Sequence, residues 1–143
     1  MKIFLSFDIG TTSVKGCAFD ERFHRVASVN EEYALLTPRP HFVEMDPEAY
    51  WQAVTDGARR MIAGGIDPRD VACVTFTTQG ETMIPVDREG KALSKAIVWL
   101  DDRAQREAAL LSEAIPGDVF YRHTGVPELS AATPLAKLCW HVR

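Results

Sequence analysis

The stretch richest in chemistry is Asp8-Ile9-Gly10-Thr11-Thr12-Ser13-Val14-Lys15. A carboxylate closes an apolar run, a glycine permits close backbone approach, three hydroxyl residues follow, and a cation stands two residues on. Backbone N–H groups and hydroxyls in such a turn donate to phosphate oxygens, and an ammonium adds a point charge to the same anion. Gly10, Thr11, Thr12, Ser13 and Lys15 are therefore a candidate phosphate cradle. Asp8 is the candidate ligand for Mg2+, a hard cation that takes oxygen ligands and keeps several waters. The spacing is not that of a P-loop, because Gly-x-x-x-x-Gly-Lys is absent and no helix follows directly. The competing reading is a plain hairpin turn rich in glycine and threonine. The acid before the turn and the cation after it favour the anion site.

Hydrophobic pattern gives the elements that must hold this turn. Residues 3–8, 14–19 and 25–33 read as strands joined by two tight turns, which implies an antiparallel meander. Residues 36–43, with Pro38 and Pro40, read as a loop. Asp46 as N-cap and Pro47 at the first helical position open a helix that Gly64-Gly65 ends. Tyr50, Trp51, Val54, Ala58, Met61 and Ile62 recur along it at helical spacing, and Trp51 is expected in the core. Residues 71–77 carry no alternation, the pattern of a strand covered on both faces. Residues 82–86 and 92–99 flank a polar turn as a hairpin. Asp101-Asp102 is expected to cap a helix that runs to about Ala114 and stops at Pro116-Gly117. One further helical turn covers residues 118–123, and Thr133-Pro134 starts a last helix. That helix still shows its period at Arg143, and the expectation is a piece of a longer chain. The order is that of an α/β domain.

Composition narrows the function classes. The chain has 143 residues, 46% of them hydrophobic, which suits one domain with a real core. The net charge of −4 gives no basic surplus for nucleic acid or acidic lipid. No apolar run reaches membrane-helix length, and the N-terminus reaches Asp8 too soon for a signal peptide, so a cytoplasmic location is expected. Cys17, Cys73 and Cys139 are far apart, which argues against zinc or a disulfide framework, and they read as small buried hydrophobes. His24, His41, His123 and His141 have no evident partner. Arg103 and Arg106 read as a solvated helix face.

The Asp8–Lys15 turn resembles the first phosphate-binding loop of the FGGY family of carbohydrate kinases, and three further segments match in order. Glu44-Met45-Asp46-Pro47-Glu48-Ala49-Tyr50-Trp51 resembles the family's acidic helix start with its buried Trp. Thr77-Thr78-Gln79-Gly80-Glu81-Thr82 stands where the family carries its first substrate loop, and Ala96-Ile97-Val98-Trp99-Leu100-Asp101-Asp102-Arg103 resembles its second. The resemblance implies a ribonuclease-H-like (actin-like ATPase) domain: a mixed sheet with an antiparallel three-strand meander and flanking helices. Residues 1–143 would be the N-terminal portion of the first domain, truncated, with the C-terminal remainder missing.

By the same resemblance the activity is ATP-dependent phosphorylation of a sugar or polyol, with Mg2+ organised by Asp8. Gly10, Thr11, Thr12, Ser13 and Lys15 would hold the β- and γ-phosphates. Glu81 is the first candidate for the acceptor, since a carboxylate accepts hydroxyl hydrogens. Glycerol kinases carry Glu there too, preceded by Arg where this chain has Gly80, and xylulokinases carry Met-His. Gln79 can donate and accept, Trp99 offers an apolar wall, and Asp101 and Asp102 can bind hydroxyls. The bland alternatives are a core role for Trp99 and a helix-capping role for one of the two aspartates. The family's general base and adenosine motifs are expected outside these residues, so the isolated piece is expected to be inactive. The full-length protein is expected to be a homo-oligomer. The alternatives are a non-catalytic sugar- or phosphate-binding regulatory module of the same fold and an actin- or Hsp70-type ATPase. The substrate-loop matches argue against the last.

Overall fold

The computed structural model describes residues 1–143. In chain order its elements are β1 (Ile3–Ile9), β2 (Ser13–Phe19), β3 (Arg25–Glu32), β4 (Glu44–Met45), α1 (Pro47–Ala63), β5 (Val71–Thr78), β6 (Ala96–Ile97), α2 (Gln105–Ala114), α3 (Gly117–Thr124) and α4 (Pro134–His141). A 3-10 turn at Pro68–Asp70 precedes β5. These elements form two units: Met1–Ala34 with Asp46–Gln79, and Leu35–Met45 with Gly80–Arg143.

The first unit is a four-stranded sheet of order β3-β2-β1-β5 packed against α1. The meander is as expected, with β1–β2 and β2–β3 both antiparallel. β5 runs parallel to β1, an arrangement that needs a crossover, and α1 supplies it. Alternation sends Ile3, Leu5 and Phe7 of β1, and Val14 and Ala18 of β2, to the face that meets Ala53, Val54 and Met61 of α1. Gly16 and Gly57 let the helix lie close. A Cβ on Gly16 would stand 3.2 Å from Met61 Cε of the helix, and 2.8 Å from Val29 Cγ2 and 2.9 Å from the Phe7 ring of the flanking strands. Asp46 caps α1 by accepting the Glu48 N–H at 3.2 Å, and Pro47 occupies the first turn.

Three expectations fail in this unit. Trp51 is 63% exposed rather than core. At 100° per residue the buried arc of α1 runs through Ala53, Val54, Gly57 and Met61, and Trp51 falls beside it. β5 is exposed along most of its length, with Phe76 53% exposed, because α1 packs over β1, β2 and β3 and β5 lies at the sheet's edge beyond it. Cys73 lies on that strand and is exposed, and Cys17 and Cys139 are only partly buried.

In the second unit β4 pairs antiparallel with β6, Glu44 opposite Ile97 and Met45 opposite Ala96. A two-residue strand is too short to show a period, so the sequence did not reveal β4. The hairpin is present as bridges from Met83 to Ile97 and from Val86 to Ala92. α2 and α4 meet through Ala104, Ala108 and Ala136. Gly125, at φ +74, closes α3 in the left-handed conformation glycine adopts readily. α4 ends at His141, short of the expected run to Arg143, with the Val142 N–H donating to the Leu138 carbonyl. Neither Asp101 nor Asp102 caps α2, whose N-cap is Ala104. No helix is long and apolar enough to cross a membrane.

Candidate functional site

The candidate phosphate turn is built where β1 hands over to β2. The Gly10 N–H donates to the Ser13 carbonyl at 2.9 Å, which closes the turn tightly. A Cβ on Gly10 would lie 3.1 Å from that same oxygen. Two bonds from Tyr33 pin the turn from β3's end: its N–H donates to the Thr12 carbonyl at 3.0 Å, and its hydroxyl donates to the Gly10 carbonyl. Asp8 and Lys15 face each other as a cross-strand pair in the β1–β2 ladder. Asp8, Thr12 and Lys15 are exposed, and Gly10, Thr11 and Ser13 are partly so. The turn thus presents hydroxyls, a carboxylate and an ammonium to solvent on a backbone fixed from behind.

Gln79 belongs to this same arrangement. Its N–H donates to the Ile9 carbonyl at 2.9 Å. Its side-chain carbonyl accepts from the Thr11 hydroxyl at 2.9 Å, and its amide donates to the Tyr50 hydroxyl at 3.0 Å. Both ends of the predicted acceptor-binding amide are therefore engaged within the phosphate-turn unit. The Tyr50 ring meets Tyr33 edge-on, with centroids 5.2 Å apart. Burial, then the neighbouring Tyr50 and Asp8, push the Tyr33 phenol up to about 12. Burial also raises Tyr50, partly offset by the Gln79 hydrogen bond.

The remaining predicted residues lie in the second unit. Glu81 has φ +60, and the Thr82 N–H donates to the Gly80 carbonyl at 2.8 Å across it. That is a γ-turn with a side-chain-bearing residue in the left-handed region, a conformation that costs strain. Glu81 is half-buried. Trp99 is 40% exposed, so it is not core, and its N–H donates to the Thr82 hydroxyl at 3.3 Å. Asp102 is partly exposed. It faces the His41 ring nitrogen at 2.9 Å and accepts from the Gln105 amide at 2.7 Å. The His41 contact, set against a smaller desolvation effect, holds the Asp102 carboxyl below its usual range.

Asp101 has another fate. It is fully buried, accepts the Val43 N–H at 2.6 Å, and shares both oxygens with the Arg103 guanidinium. No hydroxyl ligand reaches it in this geometry, and the reading of Asp101 as an acceptor contact gives way to a structural one. Arg103 is likewise not on a solvated face. It bonds Glu44 at 2.8 Å as well as Asp101, and stacks 3.7 Å over the Phe42 ring. Arg106 remains exposed.

Sequence reasoning missed Tyr33, Tyr50, His41 and above all Lys137. Lys137 is fully buried, and its ammonium donates to the carbonyls of Glu81 and Val98 at 3.3 and 2.9 Å. The available signal was a single Lys set among the apolar residues of α4. The other partners stand 23 to 61 residues apart in the chain and leave no local spacing to read.

Comparison with known proteins gives the family and the fold. The family model for the N-terminal domain of FGGY carbohydrate kinases matches residues 3–143. Glycerol kinase 2 of Thermotoga maritima is 40% identical over 115 residues, covering 79% of this chain and 23% of that protein. Ligand-bound xylulose kinase from Lactobacillus acidophilus superposes with a TM-score of 0.90 at 26% identity, over 100% of this chain and 29% of that one. Gluconate kinase from the same organism gives 0.90 at 27% identity, over 99% and 28%. The chain thus spans about a quarter of the length of such relatives, with the actin-like ATPase fold they share. Matched along nearly its whole length, residues 3–143, by the family's N-terminal domain, the chain belongs to the FGGY family of carbohydrate kinases.

Proposed function

We propose that this chain is the N-terminal part of a cytoplasmic ATP-dependent kinase that transfers the γ-phosphate to a hydroxyl of a sugar, sugar acid or polyol. The observation that carries the reading is the Gly10–Ser13 turn, fixed by Tyr33 and flanked by the exposed Asp8–Lys15 pair. Phosphoryl transfer depends on positioning and charge neutralisation more than on covalent participation by the protein. The Thr12 and Ser13 hydroxyls, the turn's N–H groups and the Lys15 ammonium suit the β- and γ-phosphates. Preorganised donors of this kind need not reorient as charge moves between oxygens.

Mg2+ fits this donor set. One exposed carboxylate, Asp8, is what a largely hydrated Mg2+ held jointly with nucleotide phosphates requires, and no cluster of three acidic, His or Cys side chains stands here to form an all-protein cage. When bound, the ion neutralises phosphate charge. Asp8 would fix its position, and Lys15 would balance the carboxylate beside it. On the acceptor side, Glu81 accepts hydroxyl hydrogens, Asp102 offers a second, partly exposed carboxylate, and Trp99 covers C–H surface. No residue from 1 to 143 is assigned the proton-accepting role.

The test is product formation by the full-length protein. Phosphorus NMR of ATP with glycerol, gluconate or xylulose should show one phosphorylated acceptor. Glu81→Ala should raise that acceptor's KM by about 10-fold or more and leave the ATP KM nearly unchanged, because its hydroxyl partners are left unpaired. Binding of ATP or acceptor without any phosphorylated product would instead indicate a binding module.

A further inference from the structure

Lys137 is the one fully buried cation, and nothing above uses its chemistry. It projects from α4 and donates to two backbone carbonyls, of Glu81 at 3.3 Å and of Val98 at 2.9 Å. Those carbonyls belong to the two segments assigned to the acceptor, the 80–82 turn and the strand end that leads into Trp99. The turn is strained at Glu81, φ +60, and such a conformation persists only where its surroundings over-determine it. Packing alone does not explain a lysine here. A methionine would fill similar volume without the cost of burying a charge. What the ammonium adds is three directed donors, two of them spent on carbonyls 17 residues apart in sequence.

We propose that Lys137 is a positioning residue that clamps the Glu81 turn to the Trp99 strand end, and so sets affinity for the carbohydrate acceptor. The proposal rests on the reading of Glu81 as an acceptor-binding residue. Val98's carbonyl also accepts the Asp101 N–H at 2.9 Å, so the clamp is continuous with the buried Asp101–Arg103 pair. Three charged groups act on Lys137: Asp101 and Glu81 favour the ammonium, and Arg103 opposes it. Burial is the largest influence and brings the group down to about 8. Below that pH the clamp is charged and fully engaged. Above it the charge and one donor are lost, and the strained turn is held less firmly.

The experiment uses the full-length protein, with glycerol, gluconate and xylulose as acceptors. Lys137→Met should raise the KM of the working acceptor about 10-fold or more, with the ATP KM within about twofold. In the wild type the acceptor KM should climb between about pH 7 and pH 9, and in Lys137→Gln that climb should vanish. If Lys137→Met does not fold, the glutamine variant and the wild-type profile decide. Unchanged acceptor KM and an unchanged profile in the variants would overturn the clamp. A second readout does not depend on the kinase reading. The carbonyl 13C shifts of Glu81 and Val98 should titrate together near pH 8, and the step should disappear in Lys137→Gln. A wild type that phosphorylates none of the three acceptors yet shows this step would sink the kinase reading and keep the clamp. Carbonyl shifts that are flat with pH would sink the clamp itself.

Discussion

Asp101 lies fully buried with its oxygens shared between Arg103 and the Val43 N–H, whereas its neighbour Asp102 stays partly exposed beside His41 and Gln105. The same side chain therefore does structural work at one position and stays open to solvent, beside surface partners, at the next. Removing one partner of a buried ion pair strands the other, at a cost of about 3–5 kcal/mol. Asp101→Ala should lower unfolding stability by that order in urea titrations of the full-length protein, and Asp102→Ala by no more than about 1 kcal/mol. Equal losses would contradict the assignment. Tyr33 makes a pH-dependent prediction. Burial lifts its phenol to about 12 from an ordinary value near 10. A raised folded value means the hydroxyl's contribution is complete below about pH 10 and is lost as pH climbs through 12. The stability gap between wild type and Tyr33→Phe should be about 1 kcal/mol near pH 8 and shrink towards pH 12. A gap that stays constant over that range would argue against a buried phenol holding the Gly10 carbonyl.

At the scale of elements, much of the first unit was legible because its signals are local. β1 alternates, Asp46-Pro47 announces the start of α1, and two turns too short for a crossover force the meander. The edge of a helix's buried arc is less readable, since a tryptophan about 60° outside the core stripe recurs at nearly the same spacing as one on it; hence the misplacement of Trp51. An unalternated strand such as β5 reads the same whether it is central or at an edge. The candidate phosphate turn was visible in its residue types, but its support from Tyr33 and Gln79 was not, because those partners are distant in sequence. The closeness of α1 to the sheet gives a test at this scale. Gly16→Ala would put a Cβ 2.8 Å from Val29 Cγ2 and 2.9 Å from the buried Phe7 ring. Overpacking of that kind costs about 1–3 kcal/mol. Denaturant midpoints should fall accordingly, and an unchanged midpoint would mean that the core around Gly16, where Met61 of α1 meets the sheet, is not packed so tightly.

For the molecule as a whole, the candidate nucleotide chemistry lies in the unit built on the β3-β2-β1-β5 sheet, and the candidate acceptor residues Glu81, Trp99 and Asp102 lie in the other. The sequence carried both loops as motifs, yet Arg103 read as part of a solvated helix face and Lys137 drew no reading at all. A buried cation is betrayed only by its contacts, and those reach back 39 to 59 residues in the cases of Glu81, Val98 and Glu44. The reading of the whole stands on Asp8 and its turn acting on the transferring phosphoryl group rather than on acceptor binding. Coupled-assay measurement of acceptor-dependent ADP release by the full-length protein, wild type against Asp8→Ala, addresses this directly. The expected result is clear release by the wild type. In Asp8→Ala, kcat should drop by about 100- to 1,000-fold, the scale of losing one preorganised electrostatic contact, while the acceptor KM stays nearly unchanged. Wild-type turnover in Asp8→Ala at saturating Mg-ATP would contradict it.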